Sequence, residues 1–508
     1  VFSISPNVSG ITIDSYTGII YVAANTASGT YSETVTVTDS VSATAKVTTT
    51  IVVNAAMVIT SKSLSTTVGK SQSTGSFSVS GGTGSKRWSI TNYSGGTSVD
   101  TATGNVTISA AVAVGIYNET LTVTDSLNVS TSIRITITVN DSITVTGGSN
   151  ITTTFGVTKN STAFIANNGT GTKTFSILPG TNGISINQNS GIVTVSATTP
   201  AGTYYETITA TDSVTATGFT TMTVLVNPGV TVTGGSNITT TYSRADSSTA
   251  FIANNGTGTK TFSILPNVSG ISIDSSTGIV SVSSSTAAGT YVETVTATDS
   301  TGATGFKLIR IVVNAAITIS SGADIATTIT KSATTIPFTA AGGTSLLTFS
   351  MAPIISGITL DTTTNTVTAD GTLSAGTYYE TITVQDTLGV KSTKLVTIVV
   401  NPAIVISAGS DIYTTRGVAR NSTAFVASNG TSTKTFSIAV SPSTSGITIN
   451  SSTGVVTAAA SLSPGIYYET ITATDIVGAT GVAYESIDRK STRLNSSHEW
   501  ISRMPSSA

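Results

Sequence analysis

The chain is 508 residues long, with only 9% charged side chains and a net charge of −2, which excludes electrostatic binding to nucleic acid or to an anionic lipid surface. There are no cysteines, and the single histidine is His498 near the C-terminus, so disulfide frameworks, thiolate or imidazole catalysis and Cys/His zinc sites are excluded from the body of the chain. A hydrophobic content of 38% and a mean hydropathy of +0.28 argue against disorder. Thr and Ser are the commonest residues and Val, Ile and Ala far outnumber Leu, and β-branched side chains suit half-buried strands. No apolar run approaches the eighteen or so residues a membrane-spanning helix needs.

Val1 opens the chain in the middle of a repeating unit, and both ends read as breaks in a longer protein. Gly-x-Tyr-x-x-Thr recurs with its Gly at 29, 115, 202, 289, 376 and 465, and an Asn closes a Val-rich strand at 54, 140, 227, 314 and 401. These landmarks divide the chain into a truncated repeat at 1–53, five repeats at 54–139, 140–226, 227–313, 314–400 and 401–487, and a remainder at 488–508. Repeats three and four share the segment STAFIANNGTGTKTFSIL, at 161–178 and 248–265, so the array grew by duplication. A period near 87 residues exceeds that of solenoid repeats and has the size of a domain.

Within 227–313, alternating segments run over 230–233, 251–252, 261–265, 271–273, 280–282, 291–299 and 306–313, separated by Gly-, Asn- and Ser-rich turns. Seven strands with turn residues every 8 to 12 positions and no helical period predict a β-sandwich, and the fold class is a tandem array of them. Tyr31, Tyr117, Tyr204, Tyr291, Tyr378 and Tyr467 open the sixth strand of each unit, where a corner tyrosine bonds back to nearby backbone. The tyrosine shares a strand face with core residues such as Ile208 and Ala210, which disfavours a role in stacking on sugars.

Carboxylates are the only side chains left for chemistry. Each unit has a Glu two residues after the tyrosine and an Asp six further on, as in Glu206 and Asp212 or Glu293 and Asp299. Six residues of strand span about 20 Å, too far for one unit's pair to share a metal or a bond. Across a junction, Glu206, Asn227 and Asp299 are a candidate calcium set. The competing reading has the Asp capping a hairpin and the Glu at the rim, bonded to backbone. Asn-x-Ser/Thr sequons are plentiful, Asn7, Asn105, Asn118, Asn160, Asn237 and Asn421 among them, at a density that a Ser/Thr-rich chain produces by chance.

The segments SGISIDSSTGIVSV at 269–282 and AGTYVETVTATDSTGATG at 288–305, with their counterparts, resemble the bacterial Ig-like and dystroglycan-type cadherin-like domains found in tandem on microbial surface proteins. The resemblance implies an extracellular or cell-surface stalk or adhesin. Some cadherin-like relatives bind calcium between domains, but the junctions here read VVNAA, TVNDS, LVNPG, VVNAA and VVNPA and lack that group's acidic linker. From Asp488 the Thr-Val alternation stops, and DRKSTRLNSSHEWISRMPSSA resembles a translated sequencing adapter or cloning scar, which cuts the last strand short near Glu485.

The expected role is therefore a non-catalytic, semi-rigid stalk or adhesin region that projects a further module toward a surface ligand, glycan or protein. Two alternatives share the sandwich: carbohydrate-binding or accessory domains of a secreted enzyme, and a viral tail or fibre protein. No cofactor other than calcium is expected.

Overall fold

A computed structural model of the chain describes residues 1–407 and 409–491. All regular structure among them is β-strand, with no helix, and so no helix long and apolar enough to cross a membrane. The chain divides into two compact units, the boundary running through repeat four. The first comprises Val1–Thr231, Ala253–Lys260 and Ala297–Gly305, and the second comprises Val232–Ile252, Thr261–Thr296 and the residues from Phe306 onward.

Repeat three, in the first unit, sets the plan. Its four-stranded sheet has the order Ile151–Thr154, Thr217–Asn227, Gly202–Thr211, Thr174–Leu178. Facing it are a three-stranded sheet, Lys159–Asn160, Val193–Val195, Ile184–Ile186, and a two-stranded one, Thr144–Gly147 with Phe164–Asn167. The two long strands pair antiparallel from Gly202 with Val226 to Thr211 with Thr217, while Ile151–Thr154 runs parallel to the end of the last strand, bringing Thr154 beside Asn227. Period-two alternation sends Glu206, Ile208 and Ala210 inward and leaves Thr207, Thr209 and Thr211 partly exposed. Phe164, Phe175, Ile184, Val193, Val195, Ile208 and Val224 from the sheets meet in one core, each fully buried large side chain contributing about 1.5–3 kcal/mol.

The first unit also holds repeat two, with its own core around Trp88, Val106, Ile108, Leu121 and Ile137, and the shorter repeat one, whose larger sheet is Phe2–Ser5, Gly29–Thr38, Thr44–Val53. In the second unit, repeats five and six reproduce the plan around Phe338, Val367, Ile382 and Ile398 and around Phe425, Val456, Ile471 and Ile487. The seven expected strands are joined in each full repeat by two short ones, such as Ile151–Thr154 and Lys159–Asn160, whose Thr- and Asn-rich sequences carry no apolar alternation. In repeats three, four and six a glycine in the last strand permits a close approach: a Cβ on Gly218 would lie 2.2 Å from the Ile143 carbonyl oxygen, one on Gly305 2.2 Å from that of Val230, and one on Gly481 2.5 Å from that of Ile404.

The last strand of repeat six is not cut short near Glu485. It runs from Thr480 to Lys490, because Asp488, Arg489 and Lys490 continue the backbone ladder with Tyr413, Thr414 and Thr415 on one side while Asp488 and Arg489 pair with Ile466 and Gly465 on the other. Backbone pairing is indifferent to the loss of apolar alternation. His498 and the rest of the anomalous segment after Ser491 lie outside the described residues.

Candidate functional site: the inter-repeat junctions

In repeats two to five the parallel strand ends in a threonine that lies beside the repeat's closing asparagine, and both reach into the next repeat. Thr154 donates its hydroxyl hydrogen bond to Asp299 Oδ2 at 2.5 Å and lies 2.8 Å from Thr257 Oγ1. Asn227 donates its side-chain amide to the same Thr257 hydroxyl at 2.8 Å. An ionised aspartate only accepts, which fixes the direction of the chain: Asn227 to Thr257, Thr257 to Thr154, Thr154 to Asp299. Each bond polarises the next.

The arrangement recurs at three further junctions. Thr67 bonds Asp212 at 2.5 Å and Thr170 at 2.9 Å, with Asn140 on Thr170. Thr241 bonds Asp386 at 2.6 Å and Thr344 at 2.7 Å, with Asn314 on Thr344. Thr328 bonds Asp475 at 2.6 Å and Thr431 at 2.9 Å, with Asn401 on Thr431. Between repeats one and two only part is present: Asn54 donates to Thr83 Oγ1 at 3.0 Å and Asp125 Oδ2 accepts the Thr83 amide at 2.8 Å.

Each lock aspartate serves two repeats. Asp299 Oδ1 accepts the amides of Thr301 and Ala303 in its own hairpin at 2.8 and 3.0 Å, and Oδ2 accepts the Thr257 amide at 2.7 Å besides the Thr154 hydroxyl. The Thr301 hydroxyl also donates to Oδ1 at 2.8 Å, so five donors satisfy a carboxylate that is only 5% exposed. Burial opposes its ionisation, but the threonine hydroxyls and the amides outweigh it and hold Asp299 well below the usual carboxylate range. The same balance holds Asp212, Asp386 and Asp475 low.

The three calcium candidates do not come together. Asn227 and Asp299 share Thr257, but Glu206 pairs with Met222, five residues before Asn227 on the last strand, about 17 Å away along it. Glu206 instead accepts the Gly180 amide and the Thr181 hydroxyl, both at 3.2 Å. Among the described residues no three His, Cys, Asp or Glu side chains converge on a common point.

The rim position expected for the glutamates is corrected: Glu33, Glu119, Glu206, Glu293, Glu380 and Glu469 are all at most 1% exposed. The two-residue alternation that turns the tyrosine inward turns the glutamate inward as well. Glu119 accepts hydrogen bonds from the Thr91 hydroxyl at 2.7 Å and from the Tyr93 and Ser94 amides at 3.1 and 3.0 Å, tying the loop after Ile90 to the sheet. Glu33, Glu293, Glu380 and Glu469 have no hydrogen-bond partner among the described residues. Burial raises the pKa of Glu293 and Glu380.

The six tyrosines donate their hydroxyls to the carbonyl four residues upstream: Tyr31 to Ala27, Tyr117 to Ala113, Tyr204 to Pro200, Tyr291 to Ala287, Tyr378 to Ser374 and Tyr467 to Ser463, at 2.6 to 3.1 Å. Sequence reasoning singled out Asn227 and Asp299 but missed the threonines between them. The available signal was the recurrence of ITTT at 151–154 and 238–241, followed by IATT and IYTT at the matching places.

No family model and no curated protein matches the chain. Solved structures similar to it include Sidekick-1 immunoglobulin domains 1-5, 11% identical over 86% of this chain and 99% of that one with a TM-score of 0.30. The N-terminal eight Ig domains of Down Syndrome Cell Adhesion Molecule are 13% identical over 96% of this chain and 68% of that one, TM-score 0.30. The human Desmocollin-1 ectodomain is 11% identical over 81% and 94%, TM-score 0.24. None of these proteins' partners or activities transfers to this chain at such identities.

Proposed function

We propose that the chain is a non-catalytic, repetitive stalk or adhesin region of an extracellular or cell-surface protein, in which each repeat is a spacer clamped to the next. The observation that carries the reading is the buried Thr–Asp–Thr–Asn lock, present in the same form at four junctions. Its acids are fully occupied by structural donors, and reacting groups for acid–base chemistry would have to meet on one substrate. A spacer needs junctions that keep their geometry without a cofactor, and buried, fully satisfied hydrogen-bond networks supply that.

Pulling the whole chain in a force microscope tests the reading. A series of equal unfolding steps, each releasing about 300 Å for an 87-residue repeat, is expected. A single irregular rupture, or a hydrolytic activity lost when one repeat's Glu and Asp are changed, would refute it.

A carbohydrate-binding reading draws on Tyr205, Tyr379 and Tyr468, which are 75%, 58% and 65% exposed. The matching positions in repeats one, two and four are Ser32, Asn118 and Val292, so any sugar contact would be confined to single repeats. A glycan array with the full chain separates the two readings.

A further inference from the structure

The inward face of repeat six carries a pairing found at no other described cross-strand position of this kind. Glu469 stands directly opposite Glu485. At the same place Glu33 faces Thr49, Glu119 faces Ile135, Glu206 faces Met222 and Glu380 faces Val396. Opposed residues on antiparallel strands hold their Cβ atoms about 4.5–5.5 Å apart. Glu469 and Glu485 are 1% and 6% exposed, and none of their four carboxyl oxygens has a hydrogen-bond partner among the described residues.

Among the described residues, the other elements of the repeat supply no compensating cation. Phe436, Ile447 and Leu462 are buried in the same core, with Ile438 and Val440 packed against it. Asp411, just before the strand Ile412–Thr415, accepts the Ser486 amide at 2.9 Å and adds a third negative charge that acts on both glutamates. Arg489 also points inward from the last strand, but it is four residues from Glu485, about 13 Å along the strand. Its guanidinium donates to the carbonyls of Val418, Ala459 and Ala460 at 2.7 to 3.3 Å.

We propose that repeat six is a proton-operated clasp, in which the last strand, Thr480–Lys490, is held against Gly465–Thr474 while Glu469 and Glu485 are neutral and loosens when they ionise. Two carboxylates at this spacing in an apolar interior cannot both be charged. Burial, with the repulsion of Glu485 and Asp411, raises Glu469 to about 8, and burial with Asp411 raises Glu485 to about 7. The ordinary value for glutamate is about 4.3, so the folded repeat binds protons that the unfolded one releases. Its stability is fully present below the ordinary value and is lost as pH rises through about 7 to 8.

The test is hydrogen exchange of the full chain at pH 5.5, 7 and 9, corrected for the intrinsic pH dependence of exchange. Protection of Gly465–Thr474 and Thr480–Lys490 is compared with that of Gly202–Thr211 and Thr217–Asn227 in repeat three, where Glu206 is hydrogen-bonded. The expected result is a loss of protection of tenfold or more in repeat six between pH 5.5 and 9, with repeat three unchanged. Glu485→Ile, which leaves one acid facing an apolar side chain as in repeats two and five, should keep repeat six protected at pH 9. A flat ratio across the range, or the same alkaline loss in Glu485→Ile, overturns the proposal. So does protection that persists at pH 9 and disappears with EDTA, since a metal ion would then be neutralising the pair.

Discussion

The last strands of repeats five and six occupy the same place in the same sheet and bury different chemistry. Lys391–Asn401 sends Val396, Ile398 and Val400 inward and ends on Asn401, which joins the lock with repeat six. Thr480–Lys490 sends Glu485, Ile487 and Arg489 inward and ends on Lys490. Both form the full antiparallel ladder with the strand before them and the parallel ladder with the short strand. Backbone pairing therefore fixes where the strand lies, while the inward side chains decide how firmly and at what pH it stays.

Moving the chemistry of repeat six into repeat five gives the largest expected effect. Val396→Glu would set a second carboxyl opposite Glu380 in an apolar core, and should destabilise repeat five by about 3 kcal/mol or more at pH 8 and by less at pH 5, read from chemical denaturation at each pH. Asp386→Ala comes next. It removes the acceptor of the Thr241 hydroxyl and of the Thr344, Leu388 and Val390 amides, and a loss of about 2–3 kcal/mol is expected in the transition of repeat five.

Thr241→Val keeps the shape of the strand and removes one donor of the lock between repeats four and five. It should cost about 1–1.5 kcal/mol, and the cost should be the same with and without calcium. The lock has the opposite pH sign to the acid pair. The lock aspartates have lowered pKa values, so their contribution is present above the ordinary aspartate value of about 3.9 and is lost as pH falls through the lower folded one. An acid titration of wild type and Thr241→Val should bring the two denaturation curves together only well below pH 4. Tyr378→Phe is the smallest change, removing one hydroxyl bond to Ser374 for about 1 kcal/mol, measured as a shift in the same transition.

The sequence made the repeat, the strands and the tyrosines legible because each has a strong period: about 87 residues for the domain and two for the strand. Alternation also contained the inward direction of Glu206, which shares a face with Ile208. The rim reading goes against that alternation, although a carboxylate is seldom fully buried. The lock was harder to find. The ITTT recurrence marks Thr154 as one end of a repeated motif, but nothing in a Ser/Thr-rich chain shows that it meets Thr257 across 103 positions. Asn227 and Asp299 stood out as rarer residues; of the two readings given them, Asp299 does cap its own hairpin, while Glu206, grouped with them as a calcium set, lies opposite Met222. The end of the last strand was misread because the apolar alternation stops before the backbone ladder does.

The central claim is that a hydroxyl-to-carboxylate lock, and no bound ion, joins one repeat to the next. Its most direct test is the exchange rate of the Thr257 amide, whose acceptor Asp299 also receives the Thr154 hydroxyl, in the wild-type chain and in Thr154→Val. The account predicts exchange about tenfold faster in the variant, corresponding to about 1.4 kcal/mol of local opening, with no change when calcium is added or chelated. An unchanged rate in Thr154→Val, or wild-type protection that depends on calcium, would contradict it.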